Sequence, residues 1–248
     1  MGAALQQMDW MAAMELREYM SVRRAYNLVR QGVEAQQRVT FAEFAILCRL
    51  ALAEGPVRTS DIASYQGSLR PTMTHRTKHL AKLGLIARDK GSEDRRNVVC
   101  GITDDGRAYV EDLCVRTCAQ IGAGQALART TPERICRYVD AMGAVSCTAS
   151  KLTLLGLATS PDRTSTVSGL VDILGLLQPT VSMSVAGLVK DGLVAKATPE
   201  GDHRRSVDVT LTNEGAACVA EIEEQIDRII VRRKPRKRKD APAKATDE

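Results

Sequence analysis

Apolar and polar positions along the chain form a sequence of recognisable elements. From Phe41 to Ala53 nearly every position is apolar, and Gly55-Pro56 stops the run, which predicts a buried helix. Thr59 or Ser60 can cap a short helix reaching Tyr65, and Gln66-Gly67-Ser68 reads as a tight turn. Pro71 suits the first turn of the next helix, where its missing N–H would have no intrahelical partner. On that helix Met73, Thr77 and Leu80 fall at i, i+4, i+7 and are expected to face inward. Thr72, His75, Arg76 and His79 are expected on the outer face. Gly84 ends it as a left-handed residue would. Leu85 to Arg88 and Asn97 to Ile102 read as two short strands joined by the polar loop from Asp89 to Arg96. Thr103 then caps a long helix whose opening acids, Asp104 and Asp105, suit a helix N-terminus.

The same order of elements returns at a constant offset of 108 residues. Gln66-Gly-Ser-Leu-Arg-Pro-Thr-Met-Thr aligns with Leu174-Gly-Leu-Leu-Gln-Pro-Thr-Val-Ser, and the match continues through Gly84/Gly192 to Asp94/Asp202. One inserted residue then brings Arg95-Arg96 onto Arg204-Arg205 and Thr103-Asp-Asp-Gly onto Thr212-Asn-Glu-Gly. The repeated unit covers roughly residues 39–113 and 147–222. Helix, helix, tight turn, helix, hairpin, helix is the order of a winged helix-turn-helix, so the expected fold is mainly α with small β-hairpin wings (α+β), in two tandem domains. Outside the repeats, Met8 to Val33 reads as a further helix. Its residues Tyr19, Val22, Tyr26, Val29 and Val33 form a narrow seam for packing on another helix. Pro132 starts an equivalent, shorter helix before the second copy. The expected division is residues 1–130, residues 131–231, and a basic, disordered tail over 232–248.

These motifs resemble the MarR family of bacterial transcription regulators. The carrying residues are Leu80-Ala-Lys-Leu-Gly-Leu-Ile, Asp94-Arg-Arg and Thr103-Asp-Asp-Gly in the first copy. Leu188-Val-Lys-Asp-Gly-Leu-Val, Asp202-His-Arg and Leu211-Thr-Asn-Glu-Gly carry it in the second. Members of that family are usually dimers of one such unit, joined through terminal helices. The resemblance therefore implies a tandem fusion, an intramolecular pseudo-dimer packed through terminal helices, with a homodimer of chains as the other arrangement.

Charge changes the picture only when it is divided. The 248 residues carry a net charge of +5, yet residues 232–248 hold eight Lys/Arg and three Asp/Glu, so residues 1–231 are neutral. Nucleic-acid affinity of the folded body must then come from local arrangement of charge, while Arg232 to Lys239 offers sequence-independent phosphate attraction. Aromatic residues make up 3% of the chain, too few for a surface that stacks single-stranded bases. No run of about 18 apolar residues predicts a membrane span, and Met1 to Trp10 does not read as a signal peptide. The seven cysteines are accordingly expected as reduced thiols in a cytoplasm.

The candidate partner is double-stranded DNA. Arg70, Thr72, Thr74, His75, Arg76, Lys78 and His79 offer donors to phosphates and base edges in the major groove. The resemblance implies that wing arginines enter the minor groove, here Arg95 and Arg96, with His203, Arg204 and Arg205 in the second copy. The second recognition helix is nearly uncharged. Gln178, Thr180, Ser182 and Ser184 can still read bases but should hold phosphates less tightly. A protein-interaction scaffold of tandem winged helices, with weak or non-specific DNA binding, is the competing reading.

No catalytic set, phosphate loop or metal-ligand spacing stands out, so neither an enzyme nor a cofactor is expected. Some MarR relatives sense oxidants through a helix cysteine, which singles out Cys114 and Cys118, one turn apart. The competing reading makes them small core hydrophobes. Cys136 and Cys147 are expected on the helix packed nearby. A small-molecule effector between the winged unit and the terminal helices is also implied by the resemblance. Tyr19, Tyr26, Phe41 and Phe44 are its candidate lining, with ordinary core packing as the preferred role.

Overall fold

The computed structural model describes residues 11–90, 98–197 and 207–232. The chain begins with a short strand, β1 (Met11–Ala13), and then helix α1 (Leu16–Gln31). This differs from the continuous helix expected from Met8. β1 pairs antiparallel with β8 (Ile230–Arg232) at the far end of the chain, with Ala12 opposite Val231. Met14 extends the pairing by donating its backbone N–H to Ile229 O at 3.0 Å. Methionine and alanine favour helix locally, but a ladder with β-branched Ile230 and Val231 outweighs that preference. Arg232, expected to open the tail, is therefore the last residue of a strand. Residues 233–248 lie outside the described residues.

The first winged unit contains α2 (Phe41–Leu52), β2 (Val57–Arg58), α3 (Thr59–Tyr65), α4 (Arg70–Lys82), β3 (Ile86–Lys90), β4 (Val98–Ile102) and α5 (Asp104–Ala119). Its sheet runs in the order β2-β4-β3, all antiparallel. The second contains α6 (Pro132–Met142), α7 (Ala149–Ala158), β5 (Thr164–Thr166), α8 (Val167–Leu174), α9 (Gln178–Lys190), β6 (Val194–Ala197), β7 (Asp208–Leu211) and α10 (Asn213–Asp227). Its sheet order, β5-β7-β6, repeats the first. The duplication extends to the helix caps. Thr40 and Thr148 cap α2 and α7, and Thr103 and Thr212 cap α5 and α10, each hydroxyl accepting the N–H three residues on.

Gly106 and Gly215, in the Thr-Asp-Asp-Gly and Thr-Asn-Glu-Gly motifs, have a shared reason. A Cβ on either would lie 2.0 Å from the carbonyl oxygen of Leu85 or Leu193. The first turn of each long helix thus rests directly on the backbone that leads into the wing, and only glycine fits there.

The two units share one buried core. The seam on α1 is buried at Tyr19, Val22, Tyr26 and Val29, and Val33, just past the helix end, is buried too. Tyr26 stacks on Phe44 and meets the edge of Phe41, with ring centroids 5.1 and 5.3 Å apart. Its hydroxyl donates to Val39 O at 2.6 Å. These aromatics are therefore core residues of the first unit. Helix α6 precedes the second repeat in sequence, yet it packs against α2 and α5 of the first unit. Tyr138 on α6 donates to Glu18 of α1 at 2.9 Å. Helix α1 reaches in the other direction, contacting α8 and α10. No single helix among the described residues is long and apolar enough to cross a membrane.

Candidate nucleic-acid interface

Helix α4 is fixed to its unit by one face and open along the other. Met73, Thr77 and Leu80 are buried, as their spacing predicts. The Thr77 hydroxyl is satisfied within the helix by donating to Met73 O at 3.0 Å. The turn before α4 is held from below. The Gln66 side chain donates to Ala42 O, Ser68 N–H bonds to Ala63 O, and Gly67 takes a φ of 55°. Arg70, Thr72, His75, Lys78 and Lys82 are exposed on the outer face, with Thr74 half-buried. Arg76 is half-buried and donates to Ser68 Oγ at 3.0 Å, which orients the guanidinium along the turn.

His79 keeps its predicted position around the helix but is half-buried, tied to another helix instead of open to solvent. Its Nδ1 lies 2.8 Å from Oε1 of Glu43, a nearly buried carboxylate. The other carboxylate oxygen of Glu43 accepts from Thr40 N–H at 2.7 Å and from its hydroxyl at 2.9 Å. One side chain thus closes the capping box of α2 and holds the last turn of α4. Periodicity places His79 correctly around the helix but carries no information about a carboxylate 36 residues earlier.

The second unit presents a different surface on the same scaffold. Along α9, Val181, Val185 and Leu188 are buried and Gln178 is exposed, while Thr180 and Ser182 are half-buried. Ser184, the counterpart of Arg76, is buried and does not face solvent. Its outward positions are apolar instead. Met183 is 77% exposed and Val189 38%, where the first unit has His75 and Ala81, while the N-cap leucines Leu177 and Leu69 are exposed in both units. The basic and imidazole side chains at Arg70, His75, Arg76, Lys78 and His79 are replaced by Gln178, Met183, Ser184, Ala186 and Gly187.

Arg95, Arg96, His203, Arg204 and Arg205, expected in the wings, lie outside the described residues. The wing bases are described. Thr59 Oγ1 donates to Val98 O at 2.9 Å, tying α3 to β4. Thr164 and Thr210 hydroxyls pair at 2.9 Å across β5 and β7.

Sequence reasoning missed a polar stripe on α1. Arg24 Nε, Asn27 Nδ2 and Gln31 Nε2 donate to the carbonyls of Asp172, Leu174 and Gly175 at 2.8, 2.8 and 2.7 Å. These are the open carbonyls at the end of α8, the first helix of the second helix-turn-helix. Gly175 has φ 60°, and a Cβ there would come within 2.7 Å of Arg24 O. The spacing 24, 27, 31 is a helix face, but nothing in it names the partner.

The cysteines redistribute. Cys114 is buried, while Cys118 is half-buried and directs its Sγ to Thr130 O at 3.4 Å. Burial pushes the Cys118 thiol up. Cys147, expected on the helix of Cys136, lies in the connection between α6 and α7 instead. Cys136 is the sulfur held below its ordinary range, by donation from the Cys114 and Cys48 thiols. Cys114 is raised by that same hydrogen bond, and Cys48 is raised by burial.

Two clefts open beside this region. One of about 680 Å³ is lined by Arg49, Leu52, Tyr65, Arg137, Asp140 and Ile230, among others. Arg49 bonds Asp140 at 3.5 Å and stacks 3.9 Å over the Tyr65 ring. The aromatic cluster of Tyr19, Tyr26, Phe41 and Phe44 does not line either cleft.

Comparison with known proteins agrees with the duplication. Residues 39–98 and residues 149–205 each match a model described as MarR family. The chain is 32% identical over 78 residues to the HTH-type transcriptional regulator FarR of Neisseria gonorrhoeae. That match covers 32% of this chain and 53% of the relative, so the chain spans about half the length of the curated protein it matches. Among solved structures, the YusO protein from Bacillus subtilis is 22% identical with a TM-score of 0.33. It covers 48% of this chain and 73% of its own. NadR in complex with 4-hydroxyphenylacetate is 23% identical with a TM-score of 0.31, covering 41% of this chain and 70% of its own.

Proposed function

From a chain that carries two MarR-family domains in tandem, we propose a sequence-specific regulator of transcription that binds double-stranded DNA in the cytoplasm and is not an enzyme. Helix α4 enters the major groove with Arg70, Thr72, Thr74, His75 and Arg76 toward phosphates and base edges. The wing arginines Arg95 and Arg96 follow the adjacent minor groove. The observation that carries this reading is the division of α4. Its apolar face is anchored at Met73, Thr77 and Leu80, while its cationic face is open and oriented by the Arg76–Ser68 bond. The second unit contributes through Gln178, Thr180, Ser182 and the wing residues His203, Arg204 and Arg205. Its neutral helix makes it the weaker half of an asymmetric site. A small-molecule effector is assigned to the 680 Å³ cleft between α2 and α6, because movement there shifts the two units relative to each other.

A second reading is favoured by one observation, the exposed apolar side chains of α9 at Met183 and Val189. It makes the second unit a protein-docking module on a weakly DNA-binding scaffold. A mobility-shift titration separates the two. The duplex is the gene's own upstream region, set against a random duplex at several salt concentrations. A regulator binds its site on the order of 10³-fold or more tighter than random DNA at physiological salt. Equal affinity for both duplexes, vanishing together as salt rises, would select the scaffold.

A further inference from the structure

Three cysteines from three helices meet where α6 packs against the first unit. Cys48 of α2, Cys114 of α5 and Cys136 of α6 are all buried, and their Sγ atoms lie within 4.8 Å of one another. Among the described residues no other group of His, Cys, Asp or Glu side chains converges in this way. Three sulfurs bound at ~2.3 Å to one centre would sit about 4 Å apart. The side chains are therefore less than 1 Å from that geometry, a shift on the order of what small torsional adjustments supply.

We propose that Cys48, Cys114 and Cys136 form a binding site for a soft, thiophilic centre that takes three sulfur ligands, the class of monovalent copper and trivalent arsenic. Three observations define the class. The donor set is sulfur alone, and soft thiolates select soft centres over magnesium, calcium or manganese. The group contains no fourth nitrogen or oxygen donor, which disfavours zinc in a closed four-coordinate site. An entry path exists, since a cleft of about 390 Å³ is lined by Cys114 and Cys136 together with Glu111 and Glu133.

The chemistry needs no oxidant. On binding monovalent copper each thiol that becomes a ligand releases its proton, and the copper stays monovalent. On binding arsenous acid, three sulfurs replace three hydroxyl groups: each protonated thiol sends one hydroxyl off as water, a sulfur already present as thiolate displaces hydroxide, and arsenic stays trivalent. Either centre would fasten α6, which leads into the second repeat, to α2 and α5 of the first unit. The site thus lies at the joint between the two units, and binding there couples the ligand to their relative position.

The test uses the full reduced chain without oxygen and without DNA, so its outcome is independent of the DNA-binding reading. The protein is titrated with monovalent copper against a competing chelator, and separately with arsenite. One equivalent per chain should survive gel filtration and raise the melting temperature, and X-ray absorption should count three sulfurs near 2.3 Å. Cys48→Ala, Cys114→Ala and Cys136→Ala should each weaken retention by at least about 100-fold, beyond the loss expected for an outer-shell partner. Cys118→Ala and Cys218→Ala should retain the ligand. Should a core variant fail to fold, the sulfur count on the unaltered chain decides. Fewer than three sulfurs, no retained equivalent of either probe, or preferential uptake of zinc with a fourth nitrogen or oxygen ligand overturns the proposal.

Discussion

The side-chain amide of Asn27 donates a 2.8 Å hydrogen bond to the carbonyl of Leu174, joining residues 147 positions apart. Asn27 is buried, and Leu174 ends α8 of the other unit. A helix of the first unit therefore finishes a helix of the second. Asn27→Leu removes the donor and leaves a buried carbonyl unpaired, a change of about 1–3 kcal/mol. Arg24→Ala, at the more exposed end of the stripe, should cost less than about 1 kcal/mol. Denaturant unfolding of both variants checks this, and hydrogen exchange should quicken at α8 in the first. Equal and negligible effects would mean the stripe does not hold the units.

Gly106→Ala and Gly215→Ala should each destabilise by about 1–3 kcal/mol or more, because the new methyl overlaps a backbone carbonyl that cannot rotate away. Thermal unfolding reads the loss directly. A change below about 0.5 kcal/mol at either site would show that the helix N-terminus slides freely over the wing backbone.

Burial pushes the hydroxyls of Tyr26 and Tyr19 well above the ordinary tyrosine value. In the unfolded chain they ionise near pH ~10. Above that pH the unfolded state sheds protons that the folded state keeps, so stability is full below pH ~10 and falls as pH rises further. Tyr26→Phe should make that alkaline decline shallower. At neutral pH it should cost only about 0.5–1.5 kcal/mol, since Val39 O keeps its bond from Arg30 Nε at 2.9 Å. Unfolding free energies measured from about pH 7 to 11 test both statements, and an unchanged slope would exclude Tyr26 as a contributor.

The two recognition helices should respond unequally to substitution. Arg76→Ala should lower affinity for the preferred DNA site on the order of 1–3 kcal/mol. Met183→Ala, at an exposed apolar position of α9, should leave that affinity within about threefold. Titrations of both variants on the same duplex suffice. A larger effect at Met183 would move the dominant DNA interaction to the second unit.

Wing and tail should contribute different kinds of binding. Arg96→Ala should narrow the gap between specific and random DNA, because a side chain in a narrow groove feels groove width and base sequence. Deleting residues 233–248 should weaken both duplexes about equally. It should also make the salt dependence shallower, by up to ~0.9 in log–log slope for each phosphate the tail had neutralised. Disappearance of specific binding alone on tail deletion would contradict this division.

The local elements were legible because their causes are local. Thr103 caps its helix, Gly84 takes φ 75°, and Met73, Thr77 and Leu80 turn inward, each from its immediate sequence context. The cap expected at Thr59 or Ser60 is not formed: Arg58 is the N-cap of α3, and Thr59 turns its hydroxyl to Val98 O instead. The repeat supplied the rest of the fold, since two copies of one pattern specify two copies of one unit. The outward face of α4 was legible for the same reason, except at His79, whose orientation depends on Glu43 of another helix.

What periodicity left open were relations between distant segments. The pairing of Met11–Ala13 with Ile230–Arg232, the docking of α6 on the first unit, and the capping of α8 by Asn27 each involve residues that no short window contains. The convergence of Cys48, Cys114 and Cys136 is of the same kind: three residues with no shared motif become one site only when three helices pack. Which elements form, and which face of each is apolar, follows from the order of residues, because helical period, capping and turn chemistry act over a few positions. Which faces meet is settled only when the whole chain packs, because burial rewards any complementary surface and the choice among them rests on side-chain fit between segments far apart in sequence.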